Sequence, residues 1–249
     1  MSNQDNETSV PAQPGRRDSF TATHWTQVAQ AAEQDGSARA RQALELLCAR
    51  YWPAIYGFLR RKNHGPEDAA DLAQGFFASL LEENAFARAD RTKGRFRNFL
   101  LGALQRFLVD EARRSGAQKR GRGQVVLAFD YEAVEQSYLD ESDPGLTPEQ
   151  VYDRRWAATV LETAFADLQE EFREADQASR FDALKKYLSE EVTDGDYEKL
   201  AAQFGLVPKA VSSAVARLRE RYRELVRRNV MATVAGAEDV DAEFRELFR

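Results

Sequence analysis

Apolar residues recur along this chain at the i, i+3, i+4 spacing of helix faces, and that rhythm predicts a series of helices. The stretch from Ala38 to Lys62 carries Leu44, Leu47, Cys48, Tyr51, Trp52, Ile55, Tyr56 and Leu59 on one stripe. Pro53 falls inside it, where a missing N–H predicts a kink or a break. Asn63-His64-Gly65-Pro66 reads as a turn. Pro66 then suits a first helical position, and Glu67 and Asp68 suit the positive end of the helix dipole. The helix they open buries Leu72, Phe76, Phe77, Leu80 and Leu81 and holds Gly75 in its interior. Such a glycine costs about 1 kcal/mol relative to alanine and is more readily tolerated where another backbone comes close. After a polar loop, Asn84 to Gly94, a helix from Arg95 to Arg114 places Phe96, Phe99, Leu100, Leu104, Phe107 and Leu108 on its apolar side.

The pattern changes at Val125. From there to Asp153 eight acidic residues stand with no lysine or arginine, and Pro144, Gly145 and Pro148 interrupt any long helix. This composition predicts a linker. Helical spacing resumes from Arg154 to Phe172, through Trp156, Val160, Leu161, Phe165 and Leu168, and again from Ala178 to Glu190, with Asp194-Gly195 as its stop. Next comes a short helix, Tyr197 to Phe204, with Leu200, Ala201 and Phe204 inward. Gly205 sits where a C-cap needs positive φ, and Pro208 can open the following helix. That helix carries Val211, Val215, Leu218, Tyr222 and Leu225 on its buried stripe. Val240, Phe244, Leu247 and Phe248 predict one more short amphipathic helix with acids opposite, which needs a surface to cover it. At the other end, residues 1–19 are polar and predicted to be disordered, and Phe20, Trp25 and Val28 begin the first apolar pattern.

Composition narrows this to an all-α protein. Of 249 residues, 31% are charged and 43% apolar, and only 7 are proline. The single cysteine, Cys48, excludes a disulfide framework, and with only His24 and His64 besides it a Cys/His zinc site is excluded too. No cofactor is implied. No apolar run reaches membrane-spanning length, and the first residues lack the apolar core of a signal peptide, so the expected compartment is the cytoplasm, with no membrane partner. The formal net charge of −6 argues against a free-standing nucleic-acid binder.

Local charge says more than the sum. Between Lys209 and Arg228 seven basic residues face two acidic ones. On that helix Lys209, Ser212, Ser213, Ala216 and Arg217 fall opposite the apolar stripe. Small, polar and basic residues there suit a DNA major groove, as in a helix-turn-helix, although an αα-hairpin with a solvated Arg/Glu face has the same periodicity. The face with Glu67, Asp68, Asp71 and Gln74 is either solvated or a docking surface for a basic partner. Arg97, Arg106, Arg113, Arg114, Lys119, Arg120 and Arg122 cluster on the polar side and tail of the Arg95–Arg114 helix, where arginines beside aromatics can grip single-stranded nucleic acid. Phe96, Phe99 and Phe107 are assigned to the core.

Three stretches, in order, resemble the extracytoplasmic-function sigma factors of bacterial RNA polymerase. Asp68-Ala-Ala-Asp71-Leu72-Ala-Gln74-Gly-Phe-Phe77 is similar to that family's region 2.2, Phe96-Arg97 through Asp110 to Arg113-Arg114 to its region 2.3–2.4, and Tyr197 to Arg228 to its region 4. The Arg-Tyr-Trp-Pro run at residues 50–53 and the acidic tail look like a subgroup with an added C-terminal helix. The resemblance implies two small helical domains joined by a flexible acidic linker: a tail at 1–19, region 2 at 20–115, the linker at 116–153, region 4 at 154–228 and an extension at 229–249. It implies a non-enzymatic chain. Glu67, Asp68, Asp71 and Gln74 would dock on the β′ clamp helices of core polymerase. Arg88, Arg91, Lys93, Arg106, Asp110, Arg113, Arg114, Lys119 and Arg120 would hold the melted minus-10 strand. Lys209, Ser212, Ser213, Ala216, Arg217 and Arg219 would read minus-35 DNA, with the second domain on the β flap and the linker in the RNA path.

The sequence departs from the family at Ala70 and Gly75, where glutamates are usual, and at Arg106, where asparagine is common. A less acidic docking face suggests regulation by an anti-sigma factor or by a kinase, with Ser79 the nearest hydroxyl, or by the C-terminal helix folding back. The competing reading is a stand-alone helix-turn-helix regulator. A hydrolase is disfavoured by the lack of a nucleophile–base pair, a carboxylate dyad with a ligand cluster, or a phosphate-cradling glycine loop.

Overall fold

Each long apolar stripe becomes a helix. The computed structural model describes residues 38–83, 85, 95–115, 131–141, 143–234 and 236–248, and no strand occurs among them. The predicted tail at 1–19 and the apolar pattern at Phe20, Trp25 and Val28 lie outside these residues. The helices are α1 (Ala38–Arg61), α2 (Pro66–Glu82), α3 (Phe96–Ser115), α4 (Tyr131–Glu141), α5 (Pro148–Glu174), α6 (Ala178–Leu184), α7 (Asp194–Phe204), α8 (Pro208–Met231) and α9 (Val240–Leu247). Short 3₁₀ turns cover Lys185–Leu188 and Ala237–Asp239. No described helix is long and apolar enough to cross a membrane.

Several boundaries differ from the sequence reading, each for a local reason. Helix α1 continues through Pro53 without a break. Helix α5 begins at Pro148 rather than Arg154, because Pro148 opens it and Thr147 and Gln150 cap it reciprocally. Part of the expected linker is therefore helical, as is Tyr131–Glu141, while residues 116–130 lie outside the described residues. The predicted helix Ala178–Glu190 tightens into 3₁₀ form after Leu184. The carbonyls of Tyr187 and Glu190 beyond that point accept from Arg219, both at 2.7 Å. Asp194-Gly195, read as a stop, instead starts α7. The Asp196 carboxylate accepts from the Thr193 amide at 3.1 Å and its hydroxyl at 2.7 Å, which fixes the helix start there.

The core is one continuous apolar cluster to which α1, α2, α3, α5, α8 and α9 all contribute. Its seam is the packing of α1 along α5. Tyr51 stacks on Trp156 with centroids 4.2 Å apart and planes 15° from parallel, and Tyr51 also meets Phe96 of α3 at 5.2 Å. Such pairs add about 0.5–1.5 kcal/mol beyond the area they bury. Gly57 lets the two helices approach: a Cβ there would lie 3.2 Å from a Val151 methyl and 3.3 Å from Arg155. Helix α4 closes the other end of α1, where Glu135 accepts from Tyr56 (2.6 Å) and from both ends of the Arg60 guanidinium (2.9 and 2.8 Å). The loop before α2 turns at Asn63, whose φ of 64° is one that asparagine tolerates.

Candidate functional site

Three surfaces carry the residues singled out above. The first is the hairpin of α7 and α8. Gly205 takes φ 62° and ψ 34°, the left-handed cap that its position called for, and its N–H donates to Ala201 O. Pro208 occupies the first turn of α8. Val211, Val215, Leu218 and Leu225 face the core. Lys209, Ser212, Ser213, Ala216 and Arg217 are all exposed on the opposite side, so the hairpin presents the small, polar and basic face that the periodicity predicted. Arg219 does not join them. It is half-buried and spends its guanidinium on the Tyr187 and Glu190 carbonyls, which ties α8 to the turn before α7.

The seven-to-two excess of basic residues in α8 overstates the free positive charge. Arg221 forms a bidentate pair with Glu171 of α5 at 2.9 and 2.6 Å. Hydrogen bonds from Arg221 hold the Glu171 carboxyl below the usual carboxylate range. Arg228 pairs with Asp167 at 2.8 Å, Arg227 with Asp241 at 2.7 Å and Arg223 with Glu220 at 3.0 Å. Among the described residues, Lys209 and Arg217 are the cations of this helix that make no salt bridge or side-chain hydrogen bond. Exposed pairs such as Arg223–Glu220 contribute little to stability.

The second surface is the outer face of α2. Glu67, Asp68 and Asp71 are exposed and Gln74 half-buried, one turn after another along the helix. Ala70 is buried, and the Gly75 Cα faces the Phe107 ring, whose Cζ would lie 3.4 Å from an added Cβ. The close neighbour of Gly75 is thus a ring of α3 and not a backbone. Of the positions where the sequence departs from the pattern it resembles, Ala70 is buried, Gly75 is half-buried against that ring and Arg106 is exposed. Ser79 is buried too, its hydroxyl donating to Phe76 O at 2.8 Å. In this conformation the Ser79 hydroxyl is therefore out of a kinase's reach.

The third surface is the end of α3. Arg106, Asp110, Arg113 and Arg114 are exposed, with Arg113 3.6 Å from Asp110 and Arg114 3.2 Å from Glu111. Arg88, Arg91, Lys93, Lys119 and Arg120 lie outside the described residues. Phe96 and Phe107 are buried and Phe99 half-buried, as assigned.

A fourth feature escaped the sequence reading. Arg97, placed there on the polar side of its helix, is 2% exposed, and Glu243 of α9 is fully buried against it. Arg97 Nε and Nη2 donate to the two Glu243 oxygens at 2.7 and 3.2 Å, Nη2 also to Glu246 at 2.6 Å, and Nη1 to Asp153 of α5. Arg95 adds a 2.8 Å pair to Glu243 and a second to Glu246. Burial opposes the charge on Arg97, yet its hydrogen bonds to Glu243 and Glu246 and the charges of Asp153 and Glu243 outweigh it and hold the guanidinium ionised. Asp153 pays the opposite way: burial, aided by the Glu246 and Glu243 charges, raises its carboxyl against the pull of Arg97. Three carboxylates thus surround two guanidiniums. Periodicity gave no sign of this, since a charged residue at a helix-face position reads as solvated unless its distant partner is known.

Among the described residues no group of three or more His, Cys, Asp or Glu could hold a metal ion. No family model matches the chain, no curated protein matches it, and no solved structure matches it.

Proposed function

We propose that this protein is a sigma factor, which binds core RNA polymerase and directs promoter recognition and strand opening. One observation supports the reading above others. A single all-helical chain carries an exposed acidic face on α2, an arginine-studded end on α3 and a helix-turn-helix at α7–α8, in the order of the family it resembles. In this reading Glu67, Asp68, Asp71 and Gln74 meet the polymerase clamp, the α3 end holds the minus-10 strand, and Lys209, Ser212, Ser213, Ala216 and Arg217 meet minus-35 DNA. The first unit, α1 to α3, and the second, α5 to α8, act as separate modules on the polymerase.

The charge balance supports dependence on polymerase over the stand-alone regulator. With net charge −6 and most α8 arginines paired within the protein, long-range attraction to DNA is weak. A large basic-channelled partner removes that obstacle, and local cation contacts then act. The deciding experiment is transcription in vitro with core polymerase, with and without the protein. Start-site-specific transcript that appears only with the protein, and disappears with Asp71→Arg while the fold is retained, supports the proposal. A protein that fails to co-elute with core enzyme yet footprints a symmetric operator alone is the regulator instead. Arg217→Ala should weaken upstream-element binding by about 1–3 kcal/mol if it reaches a base edge.

A further inference from the structure

We propose that the cleft between the end of α1, α4 and the start of α5 is a binding site for a phosphoryl-bearing anion, a phosphate monoester or a diphosphate group. The inference is independent of the sigma-factor reading, since it uses none of the three surfaces assigned there. The cleft has a volume of about 300 Å³ and is lined by three arginines, Arg61, Arg154 and Arg155, beside Tyr138 and a single acid, Asp143. That volume is at the small end of ligand sites and suits a phosphoryl group rather than a whole cofactor.

The arginines of this cleft are held differently from those met so far. Arg60, Arg97 and Arg228 are matched by the carboxylates of Glu135, Glu243 and Asp167. Arg61, half-buried, instead donates from Nε and Nη2 to the backbone carbonyls of Leu146 and Pro144. Carbonyls orient a guanidinium without cancelling its charge, and among the described residues Arg61 makes no salt bridge. Arg154 is exposed and makes neither a salt bridge nor a side-chain hydrogen bond among them. Asp143 pairs with neither: its carboxylate accepts from Gly145 N–H at 2.9 Å. Arg155 is fixed at the back of the cleft, 5% exposed, with Nη1 donating to the Ser137 hydroxyl at 2.6 Å and the guanidinium 5.9 Å from the centre of the Tyr138 ring.

Three consequences follow from this arrangement. Cations gathered around one half-enclosed volume raise its positive potential, because protein walls screen less than open water. Arg61 and Arg155 are already locked by their neighbours, so little side-chain freedom is lost when an anion arrives. Both keep N–H donors to spare, and a planar guanidinium matches two phosphoryl oxygens at once. The charge selects the ligand class. A phosphoryl group carries about two negative charges at neutral pH, which matches Arg61 and Arg154 together, whereas a lone carboxylate matches only one of them.

The test is isothermal titration of the full chain with inorganic pyrophosphate, in chloride buffer at constant ionic strength. Saturable, stoichiometric binding is expected. Arg154→Gln, at an exposed position, should weaken it about tenfold through loss of one charge-assisted contact, with the circular dichroism spectrum unchanged. Asp143→Asn should tighten it, because the change removes the like charge and keeps an acceptor for Gly145 N–H. No saturable binding to the wild type, or binding indifferent to both substitutions, overturns the site. A short oligodeoxythymidine strand added to the complex separates two sources of the group, and both results keep the site. Displacement of pyrophosphate assigns it to a nucleic-acid backbone phosphate, and retention of pyrophosphate assigns it to a phosphorylated small molecule. Neither polymerase nor promoter enters the titration, so its failure leaves the sigma-factor reading as it stood, and failure of that reading leaves the site.

Discussion

The seam between α1 and α5 and the cluster between α3 and α9 both join the first helices to the last, and they do so by opposite physics. The seam is aromatic and aliphatic: Tyr51, Trp156, Val160 and the close approach at Gly57. Its contribution grows with area removed from water and tolerates small shifts. The cluster is charged and nearly dry, with Arg97 and Glu243 out of solvent. Its net contribution is small because two desolvated charges cost nearly what their attraction returns, but breaking one partner is expensive. The seam therefore supplies affinity between the units, and the cluster supplies their register.

Four perturbations separate these roles. The largest effect should come from Trp156→Ala, which removes the stacked partner of Tyr51 at a fully buried position. Denaturant unfolding should show a loss of about 3–5 kcal/mol. Glu243→Ala should cost less, about 3 kcal/mol, because Arg97 keeps Glu246 and Asp153 and only part of its pairing is lost. A loss equal to that of Trp156→Ala would mean that the cluster, not the seam, dominates closure.

Acid should act on the ion pairs, within this cluster and beyond it, and not on the seam. The Glu135, Glu171 and Glu246 carboxyls are each held below the usual range, first by hydrogen bonds from Arg60, Arg221 and Arg95 respectively. A lowered carboxyl stabilises the fold above its unfolded value, about 4.3 for glutamate, and loses that contribution as pH falls through the folded value. Asp153 works in reverse: its raised carboxyl favours the fold when protonated, and that contribution disappears as pH rises through the folded value. With these carboxyls, and the Glu170 and Asp196 carboxyls lowered likewise, set against the one raised, thermal unfolding followed from about pH 5 to about pH 3 should show a falling midpoint. Glu246→Gln should flatten the fall, whereas Trp156→Ala should shift the whole curve down without changing its shape. The smallest effect is a gain. Gly75→Ala should stabilise by up to about 1 kcal/mol, since the added methyl meets the Phe107 ring at ordinary contact distance. A drop in the unfolding midpoint would show that the ring cannot yield.

The sequence made some of this legible and hid the rest for definable reasons. Backbone punctuation was readable where one residue has one physical use. Gly205 takes positive φ, Pro208 opens α8, and Asn63 to Pro66 turn the chain, because each is determined by its own covalent geometry. Apolar stripes were equally readable, since burial at helical spacing needs no knowledge of the partner. Charged residues were not. Arg97 and Glu243 each looked solvated in their own helices, and only their meeting, 146 residues apart in sequence, explains why both are buried. The contacts of Arg219 were hidden for the same reason: its partners are the Tyr187 and Glu190 carbonyls, in and just after the 3₁₀ turn at Lys185–Leu188. Composition also misled at Val125 to Asp153. Acidic content suggested a linker, but Glu135 and Asp153 are acids used for pairing, and Thr147-Pro148 is a helix start.

The hydrogen bond from Phe96 N–H of α3 to the Thr233 carbonyl just after α8, at 3.1 Å, turns one amide into a gauge. A first-turn helix N–H has no acceptor within its own helix and ordinarily trades its proton with water quickly. Here the acceptor belongs to the far end of the chain, so the exchange rate of that one proton reads out how often the two halves of the molecule come apart.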